Sequence, residues 1–410
     1  MKVLVIGGGI GGLTLALALQ RAGIGVKVFE AAAEIKPIGV GINLLPHSTK
    51  ILASLGLLSA LEKTAVTTKE AVFFNRFGQR IFSEPLGRFA GYDEPQFSIH
   101  RGDLQMALLD ALRDRIGANN IVTDARCISF DQESKGVTAH FVDGSGSPKS
   151  AERGDVLISA EGIHSEVRKR FFPEEGPPRY SGVNMWRGVT RWSPILTGAS
   201  MIRAGWLANG KMVIYPIRND IDGEGRQLIN WVAEIETPVH TERDWNRKAR
   251  VEDFIGAFES WKFDWLDVPA LIRAADSVLE FPMVDQDPLP WWTEGRVTLM
   301  GDAAHPMYPR GSNGAGQAIL DAASLARHLS AERYPLAALK AYEAERLPKT
   351  SEVVLANRLN PPDTINREIW KRTGDKPFAR IEDVISHDEL VALSDGYKKV
   401  AGYDRNSLVT

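Results

Sequence analysis

The apolar run Val3-Leu4-Val5-Ile6 reads as a fully buried strand, and the glycines after it end it. From Gly11 to Ala22 the pattern predicts a helix with a largely apolar surface, carried by Leu13, Leu15, Ala16, Leu17 and Leu19. Gly23 and Gly25 break it, and Val26 to Phe29 is a second strand ending at Glu30. That βαβ unit is expected to be right-handed with parallel strands. A helix follows from about Pro46 to Gly56, then a hairpin of Val72–Phe74 and Arg80–Phe82 around Gly78. Ser98 to Arg101 leads into a helix from Gly102 to about Arg115. Ile121–Thr123, Val137–Phe141 and Val156–Ser159 read as strands, the middle one in a hairpin excursion bounded by Gly136 and Asp143-Gly144-Ser145-Gly146.

Between about Gly182 and Pro282 the pattern changes. Alternating apolar and aromatic stretches predict an antiparallel sheet with one covered face. Trp186, Trp192, Trp206, Trp231, Trp245, Trp261 and Trp265 fall here, seven of the ten tryptophans, which marks a second domain. Arg296 to Met300 returns to a buried strand, and Gly314 to Leu329 is a helix. Beyond about Asn360 the chain is polar and helical in pattern, with no chemistry that the residues disclose.

Composition narrows the function classes. At 410 residues, 44% hydrophobic and 25% charged, the chain is an ordinary globular one of one to three domains. A net charge of −3 points to neither nucleic acid nor an anionic membrane as partner. The single cysteine, Cys127, precludes an internal disulfide and fits a reducing cytoplasm. No targeting segment and no transmembrane helix are expected, nor a Ser–His–Asp triad or a metal cluster.

Chemistry concentrates at two glycine-rich stretches. Gly7, Gly9 and Gly12 have G-x-G-x-x-G spacing between a strand and a helix, with Gly11 inside the turn. They permit a tight turn, a close pyrophosphate and close helix packing, beside helix N–H groups suited to phosphate. Glu30 lies 18 residues after Gly12, where an acid accepts from adenosine ribose hydroxyls. This unit alone does not separate FAD from NAD, and a turn needing glycine for packing only is the plain alternative. The second stretch starts with Asp302 at a strand's carboxyl end. There it can accept from a ribityl chain, or merely cap the next turn. Three glycines follow in Gly311-Ser312-Asn313-Gly314-Ala315-Gly316. Backbone N–H groups at Gly314 and Ala315 would face a flavin's pyrimidine edge, and the helix dipole would favour the negative charge of reduced flavin.

These residues resemble the class A flavoprotein monooxygenases, the FAD-dependent aromatic hydroxylases. The likeness rests on Gly7 to Gly12 with Glu30, on Ala160 to Arg168, and on Gly301 to His305 with Pro309 to Asp321, and it covers about residues 1 to 350. In look it is nearest to the phenazine-1-carboxylate-modifying and salicylate or 3-hydroxybenzoate members, through Gly39 to Asn43, Ser98 to Gly102, Met185 to Thr190 and Asp285 to Pro290. It implies that Arg101, assisted by Gln105, meets the flavin's phosphate–ribityl region, and that Pro309 lies beside the oxygen-reacting face. Glu161 stands where the family usually has Asp, and Arg168 is implied in an ion pair or a pyridine-nucleotide contact. Ser312 and Asn313 replace a frequent Gly-Gln, and Gly316 a frequent Asn. Arg310 replaces an apolar residue of the phenazine relative; it can pair with a substrate carboxylate or point to solvent. Arg187 is a second candidate anion receiver, while Tyr215, His305 and Tyr308 can bond a phenol or simply be packed.

The expected fold is a doubly wound α/β FAD-binding (Rossmann-like) domain built from residues 1–71, 98–175 and 284–350. A mostly antiparallel substrate domain comes from a hairpin at 72–97 and from 176–283, and residues 351–410 form a C-terminal helical segment. The implied activity is hydroxylation of an aromatic or heteroaromatic substrate, with or without decarboxylation, by a single-component enzyme. NAD(P)H and dioxygen would be consumed through a flavin hydroperoxide. Pro309, Arg310, His305 and Tyr215 are the candidate catalytic residues; Arg187, Tyr308 and Arg310 are the candidate substrate binders. The expected enzyme is cytoplasmic, a monomer or homodimer. A flavin-dependent NAD(P)H dehydrogenase or oxidase, and a non-catalytic flavin-binding protein, are the alternatives left open. A flavin halogenase is disfavoured because its Trp-x-Trp-x-Ile-Pro signature is absent.

Overall fold

The computed structural model describes residues 1–237, 247–359 and 361–408; Trp245 and Asn360 lie outside them. Its first sheet has six strands in the order 293–294, 297–299, 156–159, 2–6, 25–29 and 121–122. All neighbours pair in parallel except the first two, which form a hairpin. The helix Ile10–Arg21 crosses between the strands Lys2–Ile6 and Gly25–Phe29. Val3, Leu4, Val5 and Ile6 are all buried, as expected of a parallel strand covered on both faces.

The excursion between the sixth and third strands of this sheet, 121–122 and 156–159, is larger than the sequence pattern suggests. It is a three-stranded antiparallel sheet of Arg126–Glu133, Gly136–Val142 and Pro148–Gly154. Only the middle strand is mostly buried, and its partners carry polar, exposed residues that give no strand signal.

A second large sheet has eight strands, in the order 247–248, 278–285, 179–192, 227–236, 211–218, 200–205, 70–74 and 80–85. The hairpin Glu70–Phe74/Arg80–Pro85 therefore joins the sheet built by residues 179–285. Both faces of this sheet are covered, a correction to the expectation of one. Trp186, Ile202, Met212, Ile214 and Trp231 pack against the 251–272 segment on one face. Trp186 stacks on Phe254 at 5.0 Å, and Trp231 Nε1 donates to Thr190 at 3.0 Å. Trp186, Trp231 and Trp261 thus fill a core that faces away from the cavity described below. On the other face Met185, Val213, Tyr215 and Val232 share a cluster with Tyr308, Ile365, Ile369 and Leu390 of the later chain.

The C-terminal part is helical: Pro335–Leu359, Thr364–Thr373, His387–Ala401 and Arg405–Leu408. Among the described residues no helix is long and apolar enough to cross a membrane.

Candidate active site

Strand alternation builds one wall of the site. Met185 and Arg187, Val232 and Glu234, Lys211, Val213 and Tyr215, and Arg203 all project from the same face of four neighbouring strands. The opposite wall is the segment from Asp302 to Ala315, together with Gly41–Asn43. Between them is a cavity of about 220 Å³.

Three side chains of the sheet hold the strand Gly41–Leu44. Arg187 Nη2 and the Tyr215 hydroxyl each donate to the Gly41 carbonyl at 2.8 Å, and Asn230 Oδ1 accepts from Gly41 N–H at 2.7 Å. A Cβ on Gly41 would lie 2.6 Å from Ile217 and 2.7 Å from Asn230, so the two parts of the molecule meet here at backbone distance. Tyr215 is buried and Arg187 half-buried at the cavity; enclosure by protein lowers the Arg187 pKa and raises that of Tyr215. Arg187 Nε is buried with no hydrogen-bond partner among the described residues.

Arg310 also lines the cavity, and its Nε likewise has no partner. Its guanidinium lies 5.6 Å from the Tyr308 ring centroid. Pro309 lines the same cavity. His305 and Tyr308 are not brought there. The His305 ring turns away because Asp321 accepts from its Nε2 at 2.6 Å. Asp321 also takes Gly301 N–H at 3.0 Å and Arg346 Nε at 2.8 Å. Burial opposes ionisation of Asp321, but His305 and Arg346 bring its pKa down to about 2. Tyr308 packs its ring into the apolar cluster under the C-terminal helices.

The glycine-rich turn has the shape a dinucleotide needs. Gly7 holds φ +113°, and a Cβ there would meet the Ala160 carbonyl at 2.2 Å; one on Gly12 would meet the Gly7 carbonyl at 2.0 Å. At Gly9 nothing lies within 4 Å, leaving room for a phosphate against the backbone. The helix Ile10–Arg21 has no side-chain cap, so its first N–H groups remain available. Gly11 instead serves packing, with Ala318 Cβ 3.2 Å from where its own Cβ would stand. Glu30 accepts from Gly8 N–H at 2.7 Å and Ala32 N–H at 2.8 Å, which aims its carboxylate at the turn. Gln105 Nε2 donates to the Gly8 carbonyl at 2.9 Å and so braces that turn.

Two charges stand unanswered along the same cleft. The Asp302 carboxylate and the Arg101 guanidinium have no hydrogen bond or ion pair among the described residues. Asp302 is open to the cleft but enclosed by protein, and that desolvation raises its pKa. Asn313 makes no side-chain cap to the helix Gly314–Ala331, leaving the N–H groups of Gly314 and Ala315 free to meet a ligand. An open turn, a free acid, a free guanidinium and an uncapped helix together fit FAD. Ser312 holds a left-handed φ of +56°, a conformation that favours the glycine usual there. Glu161 accepts from Ser159 and Ser165 at 2.7 and 2.8 Å and Arg168 pairs with Glu175, both inside the protein framework. Arg168 also pins the turn through the Ala303 and Ala304 carbonyls, each at 2.9 Å.

Four further charged residues, Arg203, Lys211, Glu234 and Asp363, stand at the site without a sequence motif to mark them. All four are buried; Lys211 bonds Glu234, and Asp363 meets both Arg203 and Lys211. The available signal was a charge at alternate positions in apolar strands: Lys211 in register with Val213 and Tyr215, Glu234 with Val232.

Comparison with known proteins decides the family. The FAD binding domain model matches residues 1–222 and 282–357. The phenazine 1,6-dicarboxylic acid hydroxylase PhzS of Lysobacter antibioticus is 41% identical over 389 residues, 94% of this chain and 95% of its own. The chain belongs to the FAD-dependent aromatic hydroxylases. Within that family, 3-hydroxybenzoate 6-hydroxylase 1 of Aquipseudomonas alcaligenes is 32% identical, covering 87% of this chain and 88% of its own. Among solved structures, Klebsiella pneumoniae HpxO complexed with FAD and uric acid superposes with a TM-score of 0.80 at 25% identity, covering 99% and 98%. This hydroxylase is therefore an FAD enzyme that acts on aromatic rings.

Proposed function

We propose that the substrate is an aromatic or heteroaromatic acid whose carboxylate is taken by Arg310, with Arg187 as a second receiver. The observation that carries this reading is the pair of cavity-lining guanidinium groups, each with a buried nitrogen that none of the described residues answers. A buried donor left unmatched is costly, and a planar carboxylate matches a guanidinium in two parallel bonds. The named relatives above act on a phenazine dicarboxylic acid and on 3-hydroxybenzoate, both of them aromatic acids. For this chain a phenazine carboxylate is the first compound to try.

FAD, when bound, supplies the electron transfer and dioxygen activation. Gly7, Gly9, Gly12, Glu30, Arg101, Asp302, Gly314 and Ala315 hold it, and Gln105 and Gly11 shape the elements that do so. Pro309 stands at the ring-facing wall. Met185, Val213 and Val232 keep water from the ring, while Arg310 sets which edge of the ring is presented. We also propose NAD(P)H and dioxygen as co-substrates, cytoplasmic placement, and a monomer or homodimer.

Matched acids and carboxamides test the carboxylate reading, titrated against the FAD-loaded enzyme with flavin absorbance as the signal. Acids should bind at least about tenfold tighter than amides. Arg310→Met should erase about 1.5–3 kcal/mol of that preference, raising KM for acids while leaving neutral ligands alone. Equal behaviour of acids and amides on both proteins would remove Arg310 from the site.

A further inference from the structure

A chain of buried charges lies along the cavity wall and ends in a carboxylate. Lys211 and Glu234 face each other on adjacent antiparallel strands. Lys211 Nζ donates to both Glu234 oxygens, at 2.9 and 3.0 Å. On its other side it meets Asp363, which also pairs with Arg203. The sequence Arg203–Asp363–Lys211–Glu234 alternates in sign and sums to zero. Glu234 is its terminal member and has no donor besides Lys211 among the described residues.

Fold stability does not call for this arrangement. A buried ion pair replaced by apolar residues of similar volume is often as stable or more so. The neighbours of this pair on the same face are Met185, Val213 and Val232, all apolar. Each Glu234 oxygen accepts one bond from Lys211 and retains acceptor capacity, and Glu234 lines the cavity. The other free groups on that wall have the opposite character. Arg187 stands opposite Val232, diagonal to Glu234 and so roughly 7–8 Å away along the sheet. The sheet wall is thus polarised, with an acceptor at Glu234 and a donor at Arg187 that none of the described residues answers; Arg310 and the cavity's other carboxylate, Asp302, stand on the opposite wall.

We infer that Glu234, held in place by Lys211, is a subsite for a ring O–H or N–H donor of the substrate. The donor hydrogen-bonds to a Glu234 oxygen and keeps its proton; Lys211 positions the carboxylate. An anionic group is repelled here and accepted at the guanidinium groups, so a ring bearing both enters in one orientation. A methyl ether in the donor's place leaves the Glu234 carboxylate desolvated and unmatched, which is how such a site discriminates. The orientation rests on the aromatic-acid reading above; the donor subsite itself does not.

The test uses the FAD-loaded enzyme and flavin absorbance as the readout of ligand binding. Probes are matched hydroxy and methoxy compounds, as benzoates, phenazine carboxylates and neutral pyridines, each acid also as its amide. The wild type should bind hydroxy members about tenfold or more tighter than methoxy members, in acids and neutral rings alike. In the paired replacement Lys211→Met with Glu234→Leu, which leaves Asp363 with Arg203, the preference should fall to about twofold. Glu234→Gln keeps the shape, loses the charge and should cut the preference at least about threefold. No hydroxy preference in the wild type overturns the inference, as does a preference retained in either variant that still holds FAD. An absent acid preference beside a clear hydroxy preference would instead defeat the carboxylate reading and leave this one standing.

Discussion

Asp302 and Arg101 are charged groups facing the cleft with no side-chain partner among the described residues, which is why they are proposed to meet the cofactor. Asp302→Ala should lower the flavin bound per protein after purification and speed its loss on dilution. Full flavin content in that variant would remove Asp302 from the site. His47 supplies a separate residue-scale prediction. It is buried against the Gly314–Ala331 helix, and burial lowers its pKa from 6.5 to about 4. The folded protein therefore holds His47 neutral, and its contribution is complete above pH 6.5. As pH falls from 6.5 to about 4, the unfolded chain takes up a proton that the folded one refuses. Up to about 3 kcal/mol of stability is lost across that window. His47→Gln, neutral at every pH, should flatten the fall of the urea midpoint there. An identical pH dependence would show that other groups control it. The residues that were legible in sequence were those whose spacing is fixed by backbone chemistry: Gly7, Gly9 and Gly12, Glu30, and Asp302 at a strand end. His305 was misleading, because its partner Asp321 lies one helix later and only the fold brings the two together.

At the scale of elements, the C-terminal helix His387–Ala401 braces the turn from Tyr308 to Asn313 that lines the cavity. Tyr397 accepts from Asn313 Nδ2 at 2.9 Å and donates to Asn357 Oδ1 at 2.6 Å; Asn357 Nδ2 in turn donates to the Tyr308 carbonyl at 3.2 Å. Burial pushes the Tyr397 hydroxyl well above its ordinary pKa, so it stays protonated. A Cβ on Gly311 would stand 1.5 Å from the Tyr397 oxygen, which explains that glycine by packing against the last long helix. Tyr397→Phe leaves two buried amides short of a partner and should destabilise the protein by about 1–3 kcal/mol. The same change should accelerate flavin release. Unchanged melting and unchanged release would mean the helix does not support the turn. Nothing in the polar pattern beyond residue 360 announces this role, since each bond spans some 40 to 84 residues. The βαβ unit was legible because its signal is local and apolar. The strands Arg126–Glu133 and Pro148–Gly154 were not, because exposed polar strands carry little periodic signal.

For the molecule as a whole, a small three-stranded sheet of Gly41–Leu44, Phe97–His100 and Val66–Thr67 meets the larger one at Gly41, whose N–H and carbonyl are both taken by side chains of the eight-stranded sheet. The same face of that sheet lines the cavity, so the contacts to Gly41 and the cavity wall share Arg187 and Tyr215. The general layout follows from sequence, with a dinucleotide turn, a change of pattern near residue 182 and a return to buried strands near 296. The charge on the cavity wall does not, because it depends on which strands become neighbours. The most direct test of the hydroxylase account is a single experiment with isotopically labelled dioxygen. The FAD-loaded enzyme is supplied with NAD(P)H and aromatic acids, beginning with phenazine carboxylates, and product masses are recorded. The account predicts one labelled oxygen in the product ring, with or without loss of carbon dioxide, in step with NAD(P)H consumed. NAD(P)H consumption that yields only labelled peroxide across the whole panel would contradict it.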